Sequence, residues 1–204
     1  MLLYYITDRR QLPGNQRAHL LEKIAEAARA GVDFIQLRER DLTGHDLELL
    51  AREAVRVVRE SGSGTTRILV NSRTDVALAA GADGVHLRAD DVTPADVRAV
   101  WGKARPCTIS VACHSVLDVR LAQGADFAVF APVFEKSGQA GVGLNALREA
   151  CHIGIPVLAL GGVTAENARA CMEVGAAGVA GIRLFQEGNV AAVVRASRGS
   201  GESR

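Results

Sequence analysis

A short punctuation recurs along the chain: Gly31-Val-Asp-Phe34, Gly81-Ala-Asp-Gly84, Gly124-Ala-Asp-Phe127 and Gly175-Ala-Ala-Gly178, at intervals of 50, 43 and 51 residues. Each copy follows a stretch of helical apolar spacing and opens a β-rich run. Glycine closes a helix in the left-handed conformation without a Cβ penalty, and the small or acidic residues after it lead tightly into a strand. Each interval holds two strand–helix units. The predicted strands are 2–7, 34–38, 68–71, 84–87, 108–113, 127–133, 157–161 and 178–184, and the predicted helices are 19–30, 44–60, 74–80, 94–101, 116–123, 144–153, 165–173 and 190–195. Strict alternation requires parallel strands with right-handed crossovers, and eight units in four quarters close most naturally into a (β/α)8 TIM barrel. An open doubly wound sheet is the runner-up. At 204 residues the chain lies near the lower end of the size range for such barrels, so loops must be short. One compact domain is predicted over residues 1–196, followed by a frayed Ser-, Gly- and charge-rich tail over 197–204.

Composition narrows the partners. Lys plus Arg total 24 against 23 Asp plus Glu, so bulk charge supplies no pull toward nucleic acid or an anionic membrane, and any anion must be bound locally. The longest apolar runs, 155–160 and 174–182, are far shorter than a membrane span, and no basic segment leads an apolar signal core, so a cytoplasmic location is expected. Cys107, Cys113, Cys151 and Cys171 form no C-x-x-C pair, which predicts reduced thiols without zinc or disulfides.

In a barrel of this kind chemistry stands at the C-terminal ends of the strands. Period-two alternation through Phe34-Ile-Gln-Leu-Arg-Glu-Arg40 turns Gln36, Arg38 and Arg40 toward the mouth, where an inward guanidinium needs an anion: a bound ligand, or an internal partner such as Glu39. Asn71 ends the third strand as a polar contact. His86 points inward on the fourth, as a substrate contact or a hydrogen-bonded core residue. Asp90 and Asp91 follow it, able to bind Mg²⁺ or simply to favour the helix that Thr93-Pro94 opens. His114 leaves the fifth strand and is the acid/base candidate, because its ordinary pKa lies near neutrality. Cys113 beside it has no activating neighbour. The glycine-rich segment 131–143 reads as a flap from which Lys136 reaches an anion or solvent. Gly161 and Gly162 after the seventh strand, with Gly181 and Arg183 on the eighth, make a phosphate site; Arg183 neutralises the anion or covers the rim.

At these positions the chain resembles the thiamin phosphate synthase and thiazole tautomerase family. The resemblance rests on Tyr5-Ile-Thr-Asp8, Phe34-Ile-Gln-Leu-Arg-Glu-Arg40, Val70-Asn71, Ala82-Asp-Gly-Val-His-Leu87, His114-Ser115, Ala125-Asp-Phe127, Pro132-Val-Phe134 and Ile155-Pro-Val-Leu-Ala-Leu-Gly-Gly162, in the family's order. It implies a barrel that binds a thiazole phosphate, either isomerising it or joining it to a pyrimidine diphosphate. The joining reaction implies Mg²⁺ on two aspartates and lysines that take up developing charge. Of these only Asp91 matches. Asn71-Ser72 replaces Asn-Asp, Arg40 replaces Lys, Ala112-Cys113-His114 replaces Ser-Thr-His, Lys136-Ser-Gly-Gln139 replaces Thr-x-Thr-Lys, and Ile182-Arg-Leu184 departs from the usual small residues. The expected activity is therefore metal-free tautomerisation of a heterocyclic phosphate, with His114 moving the proton and Gln36, Arg38 and Arg40 holding the substrate. The synthase reaction through Asp91, Mg²⁺ and Lys136 is the alternative, and a non-catalytic phosphate binder is a third reading. Homo-oligomerisation is left open.

Overall fold

The computed structural model describes residues 1–62, 64–103, 105–135, 138 and 140–199. Strands and helices alternate as β1 (Leu2–Ile6), α1 (Gln16–Ala30), β2 (Phe34–Leu37), α2 (Gly44–Glu60), β3 (Arg67–Asn71), α3 (Thr74–Ala80), β4 (Gly84–Leu87) and α4 (Pro94–Trp101). They continue as β5 (Thr108–Cys113), α5 (Val116–Leu121), β6 (Phe127–Phe130), α6 (Gly143–Cys151), β7 (Val157–Ala159), α7 (Ala168–Glu173), β8 (Gly178–Gly181), α8 (Arg183–Gln186) and α9 (Val190–Gly199). All eight strands are parallel and close in sequence order, β8 pairing with β1 through Leu2↔Gly178 to Tyr5↔Gly181, so the barrel expectation holds and the open sheet does not. Among the described residues no helix is long and apolar enough to cross a membrane.

The punctuation does more than end helices. Gly31, Gly81, Gly124 and Gly175 all have positive φ, between 71° and 104°, as the left-handed cap requires. The acid two residues on then reaches back to the preceding strand: Asp33 accepts from the Leu3 amide at 2.8 Å, Asp83 from Ile68 at 2.9 Å and Asp126 from Ile109 at 2.7 Å. Each carboxylate pins neighbouring strands at their N-terminal ends. The fourth copy has Ala177, with no carboxylate to reach back, and its link to the preceding strand is made by backbone: Ala177 N–H donates to Val157 O at 2.8 Å. The last residue of the motif alternates between Phe34 and Phe127, whose rings meet at 4.8 Å inside the barrel, and Gly84 and Gly178. A Cβ on Gly84 would lie 1.8 Å from Thr108 O, and one on Gly178 2.0 Å from Leu2 O.

Inside the barrel, Tyr4, Ile6, Phe127, Val129, Leu158 and Ala180 form an apolar floor. Above it lies a polar layer. Gln36 Nε2 donates to Tyr4 Oη at 3.0 Å, Tyr4 Oη lies 3.2 Å from Ser110 Oγ, and Ser110 Oγ lies 2.8 Å from His86 Nδ1. The larger apolar cluster fills the space between strands and helices.

Most predicted elements shift by one to four residues at an end, and three of the differences have a reason in the contacts. Strand β6 stops at Phe130 rather than Val133, because Pro132 has no amide hydrogen for the ladder. Strand β8 stops at Gly181 rather than Leu184, and Arg183 opens α8: Phe185 buries its ring 5.7 Å from Tyr5, while Gln186 accepts from Asp8 N–H at 2.8 Å and donates to Asp8 O at 3.0 Å. Helix α9 continues past Arg195 to Gly199, so 197–199 are helical rather than frayed; Arg198 anchors this turn by donating to Gly31 O at 2.6 Å. The rest of the expected tail, 200–204, lies outside the described residues.

Two outcomes follow from these contacts. Asp83→Ala, which deprives the Ile68 amide of its acceptor, is expected to cost about 1–3 kcal/mol in urea unfolding, whereas an unchanged midpoint would remove the pinning role. Burial, aided by nearby Arg38, pushes the His86 pKa down from 6.5 to about 3, so between these values the unfolded chain binds a proton that the native state refuses. Stability therefore drops as pH falls through this window, by about 1.4 kcal/mol per pH unit. Between pH 6.5 and pH 5 the native protein should lose about 2 kcal/mol more than His86→Gln, and equal losses would contradict the burial argument.

Candidate functional site at the barrel mouth

The C-terminal strand ends share one rim, and most of the predicted side chains stand on it. From β2, Gln36 is buried and Arg38 half-buried, both on the inner face, whereas Arg40 is exposed. Glu39 does not pair with Arg38. It is buried beneath the Arg9–Gln11 turn, accepting from Thr7 Oγ1 at 2.6 Å and from Arg9 Nη1 at 3.0 Å, while Arg9 also clasps Asp41 at 2.7 Å. Burial raises the Glu39 carboxyl above the usual range, against the lowering effect of these donors. Its commitment elsewhere leaves the Arg38 guanidinium without a hydrogen bond or ion pair among the described residues. Burial, with Arg40 beside it, lowers the Arg38 pKa from its ordinary value, as for a cation short of partners.

Asn71 ends β3, and its Nδ2 donates to Ser72 Oγ at 3.2 Å; Ser72 has φ 59°, a left-handed conformation unusual for a residue with a side chain. His86 is buried on β4, with Asn71 beside it in register. His114 is exposed at the β5–α5 junction, its Nδ1 2.8 Å from Ala131 O. A carbonyl oxygen only accepts, so Nδ1 carries hydrogen and the neutral ring leaves Nε2 as its basic nitrogen. Cys113 is buried, and burial pushes its thiol pKa up to about 12, which removes it as a nucleophile. Lys136 lies outside the described residues.

The loops after β7 and β8 enclose a cavity of about 480 Å³ whose lining includes Gly161, Gly162, Thr164, Gly181, Ile182 and Arg183, so the four predicted phosphate residues do come together. The amides of Gly161, Gly162, Ile182 and Arg183 donate to no protein acceptor among the described residues. Such a set of free N–H groups suits an anion. The glycines are also forced from behind: a Cβ on Gly161 would lie 2.6 Å from Pro132 Cα, and one on Gly162 2.6 Å from Glu135 O. Both have positive φ, 92° and 64°. Arg183 is exposed at the rim of the cavity, not inside a strand. Gln11, Glu135 and Glu187 also line this cavity and were not singled out from the sequence; the only signal for Gln11 was its position after the Tyr5-Ile-Thr-Asp8 segment.

The donor set for a divalent cation is poor. Asp91 Oδ2 accepts from the Arg88 amide at 2.8 Å and its Oδ1 lies 3.4 Å from Arg88 Nε, so the carboxylate closes its own loop. Ser72 offers a neutral hydroxyl, and no group of three or more His, Cys, Asp or Glu suited to a metal occurs among the described residues. These residues do not fit a protein-held Mg²⁺. The helix that follows is started by Thr93 and Asp96 in a capping box, without either Asp90 or Asp91.

Comparison with known proteins sharpens this picture. The family model described as thiamine monophosphate synthase matches residues 3–185. A Geobacter sulfurreducens protein named putative thiamine-phosphate synthase is 42% identical over 185 residues, covering 87% of this chain and 83% of that protein. The thiamine-phosphate synthase of Methanoculleus marisnigri is 37% identical over 203 residues, covering 96% and 93%. Among solved structures, a thiamine phosphate pyrophosphorylase from Pyrococcus furiosus superposes with a TM-score of 0.81 at 29% identity, over 97% of this chain and 94% of its own. With a closed barrel, a free-amide cradle between its last two loops and similarity running from β1 through α8, the chain belongs to the thiamine monophosphate synthase family, enzymes of thiamin biosynthesis.

Proposed function

We propose that this chain catalyses the transfer for which its relatives are named, joining a pyrimidine diphosphate to a thiazole phosphate with release of diphosphate. The observation that carries this reading is the half-buried Arg38 guanidinium, left without an anion by the Glu39–Arg9 pair and separated from β8 only by β1. The near end-to-end similarity to named synthases supports it over the tautomerisation expected from the sequence. In the reaction the thiazole nitrogen forms a bond to the pyrimidine methylene carbon as the bond from that carbon to the diphosphate oxygen breaks. Negative charge grows on the departing diphosphate, and Arg38, with Arg40 outside it, supplies a fixed positive field there. The amides of Gly161, Gly162, Ile182 and Arg183 hold the thiazole phosphate, whose negative charge Arg183 balances. Because the carboxylate set does not fit Mg²⁺, no step is routed through the ion.

A second reading, thiazole tautomerisation, is favoured by one observation: the His114 ring is pinned through Nδ1, presenting Nε2 as a base at the same rim. One set of assays separates the two. Purified protein supplied with Mg²⁺ and both synthase substrates should form thiamin phosphate, and Arg38→Ala should lower kcat/KM by about 100-fold. No thiamin phosphate, together with loss of the thiazole tautomer that His114→Ala abolishes, would replace the transfer with the tautomerisation. Neither reaction, with thiazole phosphate still bound, would leave only the binder.

A further inference from the structure

On the β8 side, the ladder of β1 ends early. The two strands pair as far as Tyr5↔Gly181, and the chain of β8 then turns into α8, so Asp8, still extended at φ −153° and ψ 90°, has no β8 backbone beside it. The Gln186 side chain stands in that place. Its Oε1 accepts from the Asp8 amide at 2.8 Å and its Nε2 donates to Asp8 O at 3.0 Å. An amide only donates and a carbonyl only accepts, so the two contacts fix which end of the carboxamide is which. Both main-chain polar groups of Asp8 are satisfied as a neighbouring strand would satisfy them. Tyr5 Oη also donates to Gln186 Oε1, at 3.2 Å, and the whole side chain is buried.

Asp8 in turn carries the Arg9–Gln11 turn. Gln11 N–H donates to Asp8 O at 3.1 Å and Gln11 Nε2 to Asp8 Oδ2 at 2.7 Å, so main chain and side chain of Gln11 are both referred to Asp8. The second hydrogen of Gln11 Nε2 has no partner among the described residues. Gln11 lines the cavity between the last two loops, and Gly181, Ile182 and Arg183 line it as well. Gln186 therefore ties one wall of the cavity to another. The Arg9 end of the turn has an anchor of its own, because Arg9 N–H donates to the two Glu39 carboxylate oxygens at 3.2 and 3.1 Å.

We propose that Gln186 is a positioning residue for the guest of this cavity: by holding Asp8 it sets the Arg9–Gln11 turn against the loop after β8, and it acts through Gln11, whose remaining amide hydrogen is a further donor to the bound phosphate. Shape alone does not suffice at position 186. A glutamate there has the same length, but its carboxylate turns a second acceptor toward Asp8 O. The phosphate half of the proposal rests on the transfer reading above, while the strap from Gln186 to Asp8 does not.

Amide exchange and ligand binding test the two halves. Gln186→Met keeps the length of the side chain and removes both contacts to Asp8, whose amide should then exchange at least about 10-fold faster than in the native protein, measured against the amides of β1. If that variant does not fold, Gln186→Glu supplies the comparison. An unchanged Asp8 rate overturns the strap. By calorimetry, Gln11→Ala, a change at an exposed residue, should weaken thiazole phosphate binding by about 10-fold. Gln186→Met should also weaken it, and the two changes together should cost no more than Gln11→Ala alone. In the transfer assay both should raise KM for thiazole phosphate more than they lower kcat, a split that general loss of stability does not produce. Native-strength binding by Gln11→Ala, or losses that add in the double variant, overturns the positioning role. Thiazole phosphate that fails to bind the native protein, with Asp8 exchange still faster in the Gln186 variant, overturns the reading of the cavity and upholds the strap, so the two failures are told apart.

Discussion

Closing eight short strands with few residues to spare depends on how each helix hands the chain to the next strand. Here that hand-over is done by a glycine that ends the helix and a carboxylate that captures an amide of the strand before. Asp33, Asp83 and Asp126 each perform it at distances between 2.7 and 2.9 Å. These contacts lie at the N-terminal ends of the strands, away from the site. The helix-to-strand hand-over thus leaves the polar groups at the other end of the barrel out of its contacts.

The mouth is organised by where its few acids are spent. Glu39 could neutralise Arg38, its neighbour in sequence, but Glu39 is taken up by Arg9 and Thr7. Asp91 is spent on its own loop through Arg88. What remains is a rim with an unanswered cation on β2 and unanswered amides after β7 and β8. Under the proposed transfer, the two phosphorylated substrates answer these two demands, one each.

Much of this was legible from periodicity. The eight strands, their order and the inward turn of Gln36, Arg38 and His86 follow from alternation and from the Gly-x-Asp punctuation. That the glycines at 161, 162 and 181 line one cavity was legible because they fall at the ends of the last two strands. The carboxylate pins were not, because a hydrogen bond between an Asp side chain and an amide some 15 to 30 residues earlier leaves no local pattern. Nor was α8: Gly178 to Leu184 reads as one apolar strand, but it is strand only to Gly181, and the docking of Phe185 on Tyr5 and of Gln186 on Asp8 accompanies a helix from Arg183. The partner of Glu39 was hidden for the same reason, since Arg9 is 30 residues away.

The central claim is that two phosphorylated guests share the mouth, one on the amides of the last two loops and one against the free guanidinium after β2. A crystal structure of the protein with thiazole phosphate and a non-hydrolysable pyrimidine diphosphate analogue measures this directly. The account predicts the thiazole phosphate within hydrogen-bond reach of the Gly161, Gly162, Ile182 and Arg183 amides, and the diphosphate against Arg38. Phosphate bound elsewhere on the surface, or Arg38 turned to a protein carboxylate with the guest in place, would contradict it.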